Sequence, residues 1–147
     1  MVRISPDPSN GSKGSVQLEG TTFNIKTTLQ STARTLLTNW FRTQAQELFT
    51  ERTHYWSKVL KLSPTHLDIR SQKTRWGSCS TKTGALHFNW KVLMAPSEII
   101  DYLIVHELCH LQVPNHSSDF WQLVQTFLPD YKLRRRWLTE NGVSLDF

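Results

Sequence analysis

Cysteine is scarce in this chain: its 147 residues include only Cys79 and Cys109. Two thiols cannot build the disulfide framework that staples small secreted domains, and a reducing intracellular compartment is the natural expectation. No apolar run approaches the ~20 residues that a membrane span needs. The opening MVRISPDPSNGSKG also lacks the apolar stretch of a secretory signal. A soluble, cytoplasmic, monomeric protein with no membrane attachment is expected. Acidic residues are the minority, 12 against 17 Lys and Arg, for a formal net charge of +5. That excess alone does not make a nucleic-acid surface, because phosphate binding needs clustered bases. The one dense cluster is Lys132, Arg134, Arg135 and Arg136. Its neighbours Tyr131, Leu133, Trp137 and Leu138 fall at helical spacing, so a solvated helix face is the first reading and a nucleic-acid contact the second.

Aromatic residues, by contrast, are plentiful: six Trp, seven Phe and three Tyr, within a 38% hydrophobic composition. This suits one packed core in a chain of single-domain size. Residues 1 to 28, rich in Ser, Gly and Pro, read as a short N-terminal segment, partly disordered or holding short strands. Val16, Leu18, Phe23 and Ile25 supply the strand-like spacing there. From Leu29 to Leu60 apolar residues recur every three or four positions, predicting a long helix, with Pro64 as a stop. Residues 66 to 92 read as β structure, HLDIRSQ and TRWGSCS followed by ALHFNWKV as a hairpin return strand. Pro96 then opens a largely buried helix, SEIIDYLIVHELCHL. A third helix starts at Ser117 or Ser118 and runs to Pro129, and a last one covers Tyr131 to Glu140 with Gly142 as a stop. The predicted class is α+β: a long N-terminal helix, a small antiparallel or mixed sheet, a metal-binding helix and two C-terminal helices.

The chemistry concentrates in VHELCHL. Histidines at i and i+4, His106 and His110, lie one turn apart on one helix face and can both reach one tetrahedral Zn²⁺. Glu107 follows the first histidine, placed to take a proton from a zinc-activated water. A catalytic zinc wants three protein ligands and one open position. His116, six residues after His110 and beyond the helix-breaking Pro114, is the best third candidate, with Asp119, Asp130 and Glu140 as rivals. The metzincin spacing is similar, but Val113 stands where those enzymes place a turn glycine. Trp76 and Trp90 either line a substrate groove or pack as core aromatics. LHFNW is the candidate edge strand for an extended peptide. Tyr131 is a candidate oxyanion donor, with helix packing as the equal alternative. Cys109 points away from the histidine face and reads as a small buried hydrophobe. His87 reads as a solvent-side strand residue, and His54 and His66 have no partner at ligand spacing.

The segment from His66 to Leu138 closely resembles the YgjP-like metallopeptidase domain, a relative of the SprT-like proteases. The matching motifs are Arg75-Trp76-Gly77-Ser78-Cys79-Ser80, Asn89-Trp90, the VHELCHL helix, Asn115-His116-Ser117, Phe120-Trp121 and Pro129-Asp130-Tyr131. The resemblance covers roughly residues 29 to 142, and 29 to 147 are taken as the domain. It implies a minimal zincin or gluzincin-like fold, one zinc ion and His116 as its third ligand, and Asn89 is a candidate substrate or oxyanion contact. Members usually carry a longer β-rich N-terminal region, so this chain looks shortened there. Peptide-bond hydrolysis, with a protein or peptide as substrate, is therefore the leading expectation. A metal-dependent endoribonuclease with three histidines at this spacing is the enzyme rival, but such enzymes have glycine at the position of Glu107. The non-enzymatic alternative is a zinc-stabilised module binding protein, or nucleic acid through Lys132 to Arg136.

Overall fold

The structure, a computed structural model, describes residues 2–5, 15–19, 22–26, 30–71 and 75–142, with side chains from residue 32 onward. The chain divides into two compact units, Met1–Thr43 and Gln44–Phe147.

The first unit holds a three-stranded sheet of β1 (Val2–Ser5), β2 (Ser15–Glu19) and β3 (Thr22–Lys26) in the order β1-β3-β2. Val16 is in register with Ile25 and Leu18 with Phe23, so the alternation seen in the sequence becomes an antiparallel ladder. β1 lies in a stretch whose composition predicts loose order. Its Val2 and Ile4 take parallel register with Phe23 and Ile25, an alternation masked by the polar residues that follow. Helix α1 (Gln30–Leu60) opens in this unit, where Ala33 and Leu37 form a small buried cluster with Leu36 and Phe41.

The later part of α1 belongs to the second unit. Its buried positions there are Ala45, Phe49, Thr53, Ser57 and Leu60, a stripe of mostly small side chains at three- and four-residue steps. Val59, one of the apolar residues of the periodic stretch from Leu29 to Leu60, is 41% exposed. The helix does not wait for Pro64 to stop. Lys61 adopts φ 58° and the Leu62 N–H bonds to the Ser57 carbonyl at 3.2 Å, the closing turn that usually takes glycine.

The second sheet runs β4-β6-β5, with β4 (His66–Arg70) parallel and β5 (Gly77–Ser80) antiparallel to the central β6 (Ala85–Asn89). Gly84, at φ +76°, makes the β5–β6 turn. The Phe88 ring stacks on Phe49 of α1, centroids 4.7 Å apart. β6 ends at Asn89, earlier than its sequence predicts: Trp90–Met94 is a short 3-10 helix whose Lys91 N–H is capped by the Asn89 side chain at 3.1 Å. Three helices follow, α2 (Ser97–Cys109), α3 (Ser118–Phe127) and α4 (Tyr131–Asn141). Contacts of α2 run to β5, α3 and α4, and a bidentate pair from Arg52 to Asp101, both bonds 2.9 Å, ties it to α1. No described helix is long and apolar enough to cross a membrane.

Candidate metal centre and cleft

Helix α2 is a buried platform. Nine of its 13 residues are buried, so the side chains it offers to the site stand on a rigid base. His106 and His110 project from its last turns. Past His110 the chain turns through Leu111–Val113, with the Val113 N–H on the Cys109 carbonyl at 2.9 Å. Among the described residues only Lys61 and Gly84 have positive φ, so this turn has no need of the metzincin glycine and Val113 fits it.

The turn returns His116 over the helix. Its Nε2 lies 3.1 Å from His110 Nε2 and 3.3 Å from His106 Nε2. Nitrogens bonded at ~2.0–2.1 Å to a tetrahedral zinc stand about 3.3–3.4 Å apart, so the cluster fits such an ion. Among the described residues these three histidines are the one group whose ligand atoms converge this way. Asp119, Asp130 and Glu140 are not part of it, and Asp130 instead accepts a 3.0 Å bond from Arg134. Burial, reinforced by the neighbouring histidines, lowers the His106 pKa to about 3, and burial also lowers that of His110. Both rings are therefore neutral and keep a lone pair for a cation. The outward nitrogens have partners as well: His106 Nδ1 meets the Tyr102 hydroxyl at 3.4 Å and His110 Nδ1 meets the Val113 carbonyl at 3.1 Å.

Helix α3 supplies an aromatic wall. Phe120, fully buried, stacks on His110 at 4.2 Å and meets His106 and His116 edge-on at 5.0 and 5.2 Å. Trp121 stacks on His116 at 5.8 Å and on Tyr131 of α4 at 5.2 Å. The three histidines line a cleft of about 580 Å³, with His110 buried and His116 exposed.

The cleft is bordered by the segment Arg75–Cys79, by α2 and by Arg135, Leu138 and Thr139 of α4. Glu107 faces it and is only 4% exposed. Burial pushes its carboxyl up to about 8, against the opposing charge of Arg75. Cys79 also lines the cleft, its thiol pushed up to about 11 by burial and then by Glu107. Cys109 is fully buried, with its thiol at about 12, the small hydrophobe expected of it. Neither thiol belongs to the histidine cluster.

The other sequence-predicted residues separate. Trp76 lines the cleft, and Gly142 packs so close that a Cβ there would sit 2.6 Å from the Trp76 ring. Asn89 and Trp90 are buried outside the lining. Asn89 holds the cleft border in place, its N–H on the Trp76 carbonyl at 2.9 Å and its side-chain amide on the Arg75 carbonyl at 3.4 Å. The Trp90 indole donates to Ser71 at 2.7 Å. Tyr131 is buried beneath the Trp121 stack, also outside the lining. LHFNW is not an edge strand: β6 is paired on both sides, and the edge beside the cleft is β5. This central place also leaves the His87 side chain only 16% exposed, beside Asp68 at 4.0 Å, rather than out in solvent. The basic cluster divides too. Arg134 is tied to Asp130 and to the Glu98 carbonyl, while Arg135 lies over the Trp121 ring at 4.8 Å.

A profile of the YgjP-like, metallopeptidase domain family matches residues 2–141. The chain belongs to this family. As a YgjP-like protein it falls among the metal-dependent peptide hydrolases, and its fold agrees with two solved structures. One is the metallopeptidase zymogen abylysin of Pyrococcus abyssi, 26% identical with TM-score 0.57, the alignment covering 63% of this chain and 93% of that one. The other is the metallopeptidase zymogen jannalysin of Methanocaldococcus jannaschii, 22% identical with TM-score 0.52, covering 58% and 91%. No curated protein sequence matches this YgjP-like chain significantly. Tyr102, Phe120, Trp121 and Arg135 join the site without having been singled out for it. Tyr102 carried a signal of position, standing one helical turn before His106 on the same face, and Phe120-Trp121 one of motif alone.

Proposed function

We propose that the protein is a zinc-dependent peptidase in which His106, His110 and His116 hold one zinc ion and Glu107 is the general base. The observation that carries this reading is the convergence of three imidazole Nε2 atoms, at 3.1 and 3.3 Å, on a cleft that also takes Glu107. When bound, zinc supplies a Lewis acid for the peptide carbonyl and lowers the pKa of a water towards ~7. The chain's own residues do the rest. With each Nε2 turned inward, Nδ1 of His106 donates to the Tyr102 hydroxyl and Nδ1 of His110 to the Val113 carbonyl, fixing tautomer and ring orientation. Phe120 and Trp121 exclude water from the ring faces. Glu107 accepts the proton of the attacking water and passes it to the departing amine nitrogen. An extended substrate adds to β5, the edge strand beside the cleft among the described residues, with Trp76 against its side chains.

The ribonuclease reading lacks a counterpart for Glu107, and within the basic cluster Arg134 is tied to Asp130 and the Glu98 carbonyl while Arg135 lies over the Trp121 ring. Neither alternative gains an observation here. The experiment is cleavage of an unfolded protein by the zinc-loaded chain, with and without a chelator. Glu107→Gln is expected to keep its zinc and to lower the rate by about 10²–10⁴. Cleavage by this variant at the wild-type rate would remove Glu107 from the mechanism.

A further inference from the structure

Two guanidinium groups line the cleft, and neither has a carboxylate partner among the described residues. Elsewhere the arginines Arg52, Arg70 and Arg134 are paired, with Asp101, Asp68 and Asp130 at 2.9, 3.4 and 3.0 Å. Arg135 and Arg75 are exposed at the cleft instead. Arg135 is not loose, because its Cζ lies 4.8 Å over the Trp121 ring, and Trp121 stacks on His116. Stacking a guanidinium face on an indole leaves its in-plane N–H donors available for a planar acceptor. Its charge reaches the metal centre, acting on both His106 and Tyr102. Arg75 is placed by its backbone, whose carbonyl takes the Asn89 amide, and its charge reaches Glu107. Against these two cations the lining offers one carboxylate, and that is the buried Glu107.

We infer that the cleft selects substrates bearing a carboxylate close to the cleaved bond, with Arg135 as the recognition residue and Arg75 as a second cation on the β5 side. A fork of parallel N–H donors fits a carboxylate in a bidentate manner, which gives geometric selection as well as attraction. The carboxylate comes either from an Asp or Glu side chain or from a peptide C-terminus. This assignment deepens the peptidase reading and rests on it for the word substrate.

The test uses zinc-loaded full-length protein and peptides matched in pairs. One arm exchanges Glu for Gln on each side of the cleaved bond, and the other compares free with amidated C-termini. Both kcat/KM and equilibrium affinity, by fluorescence anisotropy, are measured for wild type, Arg135→Gln, Arg135→Lys and Arg75→Gln, with zinc content confirming that each variant is folded. Wild type is expected to favour the carboxylate member of one arm by about tenfold or more in both readouts, and the arm that responds names the source. Arg135→Gln brings that ratio close to one, Arg135→Lys recovers part of it, and Arg75→Gln reduces it less. A wild-type ratio near one in both arms, or a ratio unmoved by both glutamine variants, overturns the inference. If affinity shows the preference but no peptide is cut, the carboxylate site stands and the peptidase reading falls. Cleavage without preference is the reverse result.

Discussion

The general-base role proposed for Glu107 and its burial pull in opposite directions, since that role takes up a proton and the site makes charge costly. In the metal-free protein its carboxyl is raised from 4.5 to about 8. The unfolded chain therefore ionises this group at a lower pH than the folded chain does. Between about 4.5 and 8, rising pH then costs the folded state stability. Glu107→Gln removes that slope. Melting curves of the two metal-free proteins should separate in favour of the variant as pH rises from 5 to 8, and a constant difference would contradict the burial argument. Tyr102 gives a second test at this scale. Its 3.4 Å contact with His106 Nδ1 is long, so Tyr102→Phe should weaken zinc affinity by about tenfold, at the low end for partners that orient metal ligands. Competition with a chromogenic chelator measures this, and unchanged affinity would leave the hydroxyl without an orienting role. His106 and His110 were legible in the sequence because i, i+4 spacing maps directly onto one helix face. Phe120, Trp121 and Arg135 were not, because what brings them to the rings is the packing of α3 and α4 on α2. On their own helices they are an apolar position, an aromatic and a solvated base.

Among the elements, the long helix and the sheet were read with different success. The span of α1, ending at Leu60, followed from its three- and four-residue spacing, but the turn that closes it did not, because a left-handed Lys61 in place of glycine leaves no signal in composition. Lys61→Gly relieves that conformation and should raise stability by about 1 kcal/mol, read as a shifted urea midpoint with an unchanged slope. A variant no more stable than wild type would mean that Lys61 gains as much from its surroundings as it loses in its backbone. The strands β4, β5 and β6 were each visible within the stretch read as β structure, yet their order was not. A parallel β4–β6 pair places the last strand in the middle, and no local pattern distinguishes that order from a simple meander. Among the described residues the edge strand is therefore β5, which borders the cleft, and not β6.

For the whole molecule, zinc is expected to be part of the folding equilibrium as well as of the chemistry. A ligand that binds only the folded chain at a thousand times its Kd adds about 4 kcal/mol. Chelation should therefore lower the melting temperature reversibly, in proportion to the logarithm of free zinc, and a melting temperature indifferent to zinc would contradict binding at the three histidines. The family match spans both compact units, residues 2–141, whereas every residue assigned to the metal centre and cleft lies in the second. The central claim is that three imidazoles hold one zinc and leave a position open. X-ray absorption at the zinc edge on protein carrying one equivalent of metal tests it most directly. Three imidazole nitrogens and one further light ligand at ~2.0–2.1 Å are expected. A sulfur at ~2.3 Å, or fewer than three imidazoles, would contradict it.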